Sequence, residues 1–306
     1  WGWAPHVARL GGLVFGSAAL PFVCGRVLTT DMLLTFWETL GVLCALRTWH
    51  GGGHTARWRT GYWLAFTMAF LTKGPPGLLP MLAIVAYRWL RPRREGEGRL
   101  WSPVGLAGLL VGGLLWYVIL IIQDRSRFWY FIGYEVIDRL VSDDHGRSKP
   151  LVFYLVIIPF GMMPWLHAWG PLVRGVWRRV MRGGGILRRL RALDDEALFA
   201  LLWVVLPLLV FTVAGSKMLF YIVPLLVPIA LWMARCHVRM CGGLLPRSTG
   251  WRRFALGTGG LWIAVLIAFT LLPDSVPFGD SYLRMAQVVR GLPLGDRDFI
   301  IGRCLL

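Results

Sequence analysis

Acidic side chains are scarce in this sequence, and lysine is scarcer still. The 306 residues hold 16 Asp and Glu against 33 Lys and Arg, and only Lys73, Lys149 and Lys217 of the latter are lysine. Charged residues make up 16% of the chain, far below the quarter usual in soluble domains, which argues against a soluble globular fold. The five cysteines (Cys24, Cys44, Cys236, Cys241, Cys304) have neither metal-ligand spacing nor a disulfide framework, so they read as packing residues. An internal repeat is missing, and ionisable residues within the apolar blocks reduce essentially to Glu38. Both absences weigh against a polytopic transporter or lipid-linked glycan flippase. Nothing at the start resembles a cleavable signal. Because the chain opens on Trp1 and stops at Leu306, truncation at both ends is expected.

What is present is apolar sequence in helix-length pieces. The chain is 56% hydrophobic with a mean hydropathy of +0.59, and its blocks run about 15 to 20 residues, the length that crosses a bilayer as helix. The fold class expected is all-α, a polytopic transmembrane helical bundle of about nine spans. They fall at 10–25, 31–46, 61–72, 75–90, 103–122, 151–173, 197–214, 217–234 and 254–272. The third is short and runs into Gly74-Pro75-Pro76-Gly77, which suggests half of a re-entrant or broken pair. Residues 1–272 would form this core, and 273–306 the start of an external C-terminal domain.

The net charge of +17 could suggest nucleic acid, but its distribution does not. The loops 1–9, 47–60, 88–99, 174–196 and 235–253 hold 21 of the 33 basic residues and only five of the acids. Seven arginines fall between Arg174 and Arg191. Such loops mark the cytoplasmic side and touch anionic lipid. The opposite set, including the long and charge-balanced loop 123–150, then faces outward, and all three lysines fall on it.

Four polar groups punctuate that outer face. Arg26 precedes Thr29-Thr30-Asp31, which either cap a helix or face an external cavity; Glu38 lies two turns later on the same face, where an intramembrane acid is usually functional or paired. Lys73 sits beside the Gly/Pro break, as an anion ligand or as a snorkelling side chain. The loop 123–150 carries Phe128-Trp129-Tyr130-Phe131, then Glu135, Asp138 and Arg139, then His145, which suits an amphipathic helix at the interface. Lys217 and Tyr221 share a helix face at an outer span end. Converging cationic and phenolic donors at a membrane edge are what a lipid-linked phosphate needs as its glycosidic bond breaks.

In this order the motifs resemble the glycosyltransferase C superfamily, in its bacterial branch related to protein O-mannosyltransferases and to lipid A 4-amino-4-deoxy-L-arabinose transferases. The matching stretches are Arg26 with Thr30-Asp31; Thr72-Lys73-Gly74; Glu135, Arg139, His145-Gly146, Tyr154 and Pro164-Trp165; and Ser216-Lys217 with Tyr221 and Pro224. The resemblance implies inverting transfer from an undecaprenyl-phosphate sugar on the external face of the bacterial cytoplasmic membrane. The acceptor would be lipid A, protein or another glycan. It implies donor-phosphate binding by Arg139, Lys217, Tyr221, Lys73 and Arg26. Asp31 would be catalytic or site-organising, and Glu135 and His145 would organise the site or bind a divalent metal ion. No nucleic acid is implied.

Two departures stand out. The family's acid in its first external loop, the expected general base, has no counterpart in these 306 residues. Some relatives place histidine directly after the loop glutamate, where this chain has Val136. An O-antigen-ligase-type enzyme is a further alternative, and it favours a long outer loop dominated by arginine.

Overall fold

The computed structural model describes residues 5–27, 29–50, 54–92, 95–123, 150, 152–180, 185–215, 217–241 and 249–271, and among these every regular element is helical. In chain order they are α1 (Pro5–Ser17), α2 (Ala19–Cys24), α3 (Asp31–His50), α4 (Thr55–Lys73), α5 (Leu79–Leu90), α6 (Pro103–Gln123), α7 (Phe153–Gly161), α8 (Trp169–Val180), α9 (Ile186–Arg191), α10 (Asp195–Val213), α11 (Val223–Cys241) and α12 (Thr249–Leu271). Single 3-10 turns at Pro75–Leu78, Trp165–Ala168 and Leu219–Ile222 lead into α5, α8 and α11. The chain divides into two compact units, Trp1–Ala255 and Leu256–Leu306. The described part of the second is the remainder of α12; the expected domain 273–306 lies outside the described residues.

Among the described residues each apolar block is largely helical, but nine crossings do not follow from that. Three of the described segments are long and apolar enough to span a membrane: Pro103–Gln123, Asp195–Val213 and Leu219–Arg239. A fourth is reached if α7 and the segment Trp165–Gly175, bent by 115°, count as one broken span. Physically, α1 and α2 are 13 and six residues long, α5 is 12, and α3 carries Asp31, Glu38 and Arg47. The third block is also longer than its hydropathy implies. Helix α4 has 19 residues, about 28 Å at 1.5 Å per residue, because its first turn recruits Thr55, Arg57 and Trp58. It is a full helix closed by a turn rather than half of a short pair.

Two cores hold the first unit together. One gathers Val14, Leu20, Tyr154, Met162, Leu226 and Met233 from α1, α2, α7 and α11. The other gathers Val42, Trp49, Phe66, Tyr87, Phe199 and Trp203 from α3, α4, α5 and α10. Aromatic packing dominates the second: Trp49 stacks on Tyr87 at 5.4 Å, and both meet Phe199 edge-on.

The two ends of this unit are chemically different. At the end formed by the C-termini of α3, α5 and α11 and the N-terminus of α10, arginines meet acids. Arg88 pairs with Glu97 at 2.7 Å, Arg91 with Asp195 at 2.8 Å, and Arg235 with Asp194 and Glu196 at 3.0 and 2.7 Å. Asp194 also caps α10, accepting a hydrogen bond from the Ala197 amide, and Asp195 and Glu196 in the first turn complement the positive end of the helix dipole. At the opposite end, α3 begins, α4 ends and α11 is entered. Asp31, Lys73, Lys217 and Tyr221 lie there.

Candidate functional site at the seam of the two cores

Helix α3 opens on Asp31, whose side chain is buried in spite of its charge. Helix α4, antiparallel to it in chain direction, closes on Lys73 at the same level. The Lys73 ammonium donates to Asp31 Oδ1. A carboxylate taken out of water needs such a partner, since an uncompensated buried charge costs several kcal/mol. Glu38, two turns deeper on α3 and 3% exposed, lies within the electrostatic reach of both Lys73 and Asp31.

Lys73 is held there by backbone geometry. The helix stops because Gly74 adopts φ +70° and ψ −144°, a region essentially closed to residues with a Cβ. The following 3-10 turn then folds back so tightly that a Cβ at Gly77 would meet the Ala69 carbonyl oxygen at 2.5 Å. The lysine is thereby fixed at the last turn of α4.

The other core supplies the opposite wall. Tyr221, in the 3-10 turn before α11, presents its ring to Lys73, with Nζ 4.6 Å from the centroid. A cation over a phenol ring is worth roughly 0.5–2 kcal/mol. Phe211 of α10 backs the same ring at 5.8 Å. Four residues earlier, Lys217 is 93% buried, at 7% exposure. No carboxylate of the described residues pairs with it. The strand-like approach to this turn is pinned by Tyr154 at the start of α7, whose hydroxyl donates to the Met218 carbonyl at 3.2 Å.

Of the expected site residues, Asp31, Lys73 and Tyr221 are therefore in direct contact, and Lys217 is buried beside them in sequence. Arg26 lies at the end of α2 with its guanidinium 4.4 Å from the Phe22 ring centroid, and no hydrogen bond or ion pair joins it to the other three among the described residues. Arg139, Glu135 and His145 lie outside the described residues. Among the described residues no three His, Cys, Asp or Glu side chains gather to hold a metal ion.

One pairing and one neighbouring residue were not read from the sequence. The sequence placed Asp31 and Lys73 on one outer face but did not pair them, because 42 residues separate them and no spacing rule links two helix ends. Tyr117 of α6 was passed over as part of an apolar span. Its hydroxyl comes to 3.4 Å from where a Gly74 Cβ would be, and its ring meets Phe70 at 5.9 Å. A lone phenol in the run Leu114 to Ile122 was the available signal.

No family model matches the chain. Known proteins do. The undecaprenyl phosphate-alpha-4-amino-4-deoxy-L-arabinose arabinosyl transferase of Serratia proteamaculans is 30% identical over 272 residues, covering 87% of this chain and 46% of that protein. The enzymes of the same name from Edwardsiella ictaluri and Yersinia enterocolitica are each 29% identical, over 86% and 74% of this chain and 46% and 39% of theirs. The chain thus spans about half the length, or less, of the curated relatives it matches. Crystal structures of ArnT from Cupriavidus metallidurans, bound to undecaprenyl phosphate and in the apo state, superpose with a TM-score of 0.64 each. Identity there is 24% and 23%, over 89% and 90% of this chain and 47% of the ArnT chain. By sequence, then, the chain is similar to these arabinosyl transferases, and its backbone shares the fold of ArnT.

Proposed function

We propose that this chain forms the donor-binding core of a membrane glycosyltransferase that takes a sugar from a polyprenyl phosphate, with Lys73, Lys217 and Tyr221 facing the donor phosphate. One observation carries the reading: a buried Lys217, without a carboxylate partner among the described residues, four residues before the Tyr221 whose ring covers the Asp31-paired Lys73. A buried ammonium needs a counter-charge, and a lipid phosphate entering from the membrane edge supplies one. The relatives' names point to undecaprenyl phosphate carrying 4-amino-4-deoxy-L-arabinose as the first donor to try. Lipid A is the first acceptor to try, ahead of protein or another glycan.

In the inverting reaction an acceptor oxygen attacks the sugar C1, the bond from C1 to the phosphate oxygen breaks, and the acceptor proton passes to a base. Polyprenyl phosphate leaves with an added negative charge. Lysines preorganised around that oxygen stabilise the charge as it develops, which is where electrostatic catalysis acts. Asp31, neutralised by Lys73, serves in this reading as a positioning residue and not as the base. Arg139 and Arg26 would add further cations at the mouth. Glu135 and His145 would organise the site or hold a divalent ion.

The site would face the external side of the bacterial inner membrane, with the arginine-paired end in the cytoplasm. The test is transfer by the complete protein from a radiolabelled undecaprenyl-phosphate sugar, with undecaprenyl-phosphate binding measured in parallel. Lys217→Met and Arg139→Ala are each expected to reduce transfer by roughly ten- to a hundredfold, as charge-assisted contacts worth about 1.5–3 kcal/mol are lost. Near-normal turnover in both variants would remove the assignment.

A further inference from the structure

The arginine-rich segment between α7 and α10 takes no part in the donor site. After the 115° bend, α8 leaves the direction of α7 and meets the bundle beside α11, where His167 and His237 pair at 3.1 Å. On α8, Val173 and Trp177 are 55% and 60% exposed, one turn apart, with Arg174 exposed between them. Helix α9 is fixed on the same end of the bundle. Arg91 donates to the carbonyls of Arg191 and Leu193, at 2.9 and 2.7 Å, and Leu190 packs against the second core. Its Leu187, Arg188 and Arg191 side chains are exposed.

The ion pairs at this end sharpen the contrast. Glu97, Asp194, Asp195 and Glu196 are taken by Arg88, Arg91 and Arg235. Arg174, Arg188 and Arg191 form no ion pair with any carboxylate among the described residues. Exposed guanidinium groups beside exposed Trp, Val and Leu, at the end of membrane-crossing helices, are complementary to a surface that is phosphate outside and hydrocarbon just beneath.

We propose that α8 and α9 form a binding site for the headgroups of anionic phospholipids in the leaflet at this end of the bundle. The guanidinium groups take the phosphodiesters, and Trp177 and Val173 dip into the upper acyl region. A nucleic acid or an acidic protein would use the arginines but leave Trp177 and Val173 in water. The site is independent of the donor reading, because it lies at the other end of the molecule.

The complete protein, solubilised in a neutral detergent, would be titrated with phosphatidylglycerol and separately with phosphatidylcholine, bound lipid being counted by native mass spectrometry. Phosphatidylglycerol is expected to bind at least tenfold tighter than phosphatidylcholine. Each arginine near an anionic surface contributes about fivefold, so the triple change Arg174→Gln, Arg188→Gln, Arg191→Gln should weaken phosphatidylglycerol binding roughly a hundredfold. If the triple variant does not fold, Arg188→Gln alone carries the test with a fivefold loss. Equal binding of the two lipids, or phosphatidylglycerol affinity unmoved by the arginine changes, overturns the proposal. So does loss of binding to RNA or a polyacidic peptide with lipid binding intact.

Discussion

Lys73 is the residue on which the two cores converge, since Asp31 of one wall neutralises it and the Tyr221 ring of the other covers it. Removing one partner of such a pair leaves a largely buried charge uncompensated, which typically costs about 3–5 kcal/mol for a fully buried pair. The Lys73 side chain keeps 19% exposure and that of Asp31 8%, so about half of that is expected here. Asp31→Asn should therefore destabilise the protein more than the double change Asp31→Asn with Lys73→Gln. A double-mutant cycle on thermal unfolding should return a coupling of about 1–2 kcal/mol. Strictly additive single changes would show that the two side chains do not act as a pair. At this scale the sequence was legible in residue type. Three lysines against thirty arginines, all on one set of loops, singled out Lys73 and Lys217. It was not legible in partnership, because contact between residues 31 and 73 depends on how two helix ends are brought level.

At the scale of elements, the turn between α4 and α5 decides where that lysine points. Gly74 occupies backbone space available essentially to glycine, and Gly77 rests against the α4 backbone. Gly74→Ala is expected to cost about 1–3 kcal/mol through strain. Gly77→Ala should cost a similar amount, because a backbone carbonyl cannot rotate aside as a side chain can. Both should lower Tm by several degrees and reduce transfer more than a stability loss of that size accounts for, as Lys73 is displaced. Unchanged transfer at a temperature where the variant is fully folded would detach the turn from the site. The Gly-Pro-Pro-Gly motif advertised this turn plainly. The length of α4 was obscured, because Arg57 and Arg59 dilute the apolar signal of a helix whose first turn lies beyond the hydrophobic stretch.

The first unit is polarised, with paired arginines at one end and the Asp31, Lys73, Tyr221 cluster at the other. The positive-inside rule predicts that the first end faces the cytoplasm. In a cysteine-free background, Ser148→Cys should react with a membrane-impermeant thiol reagent in intact spheroplasts, whereas Ser248→Cys should react only after permeabilisation. Labelling of position 248 alone from outside would invert the topology. Among the described residues, helix length and composition by themselves support three or four crossings and leave the expected nine unconfirmed. Helices such as α3 carry buried polar residues that lower their hydropathy.

Composition and the alternation of charge along the chain determine that this protein is helical and membrane-embedded, because the cost of placing charge in hydrocarbon acts on every residue locally and leaves its record in the order of amino acids. Which charges meet is a different matter. The Asp31 to Lys73 bond, the ring of Tyr221 over that lysine and the approach of Tyr117 to Gly74 follow from the mutual height and rotation of α3, α4, α6 and the turn before α11. Those quantities are set by packing between distant segments, and only the tertiary structure contains them.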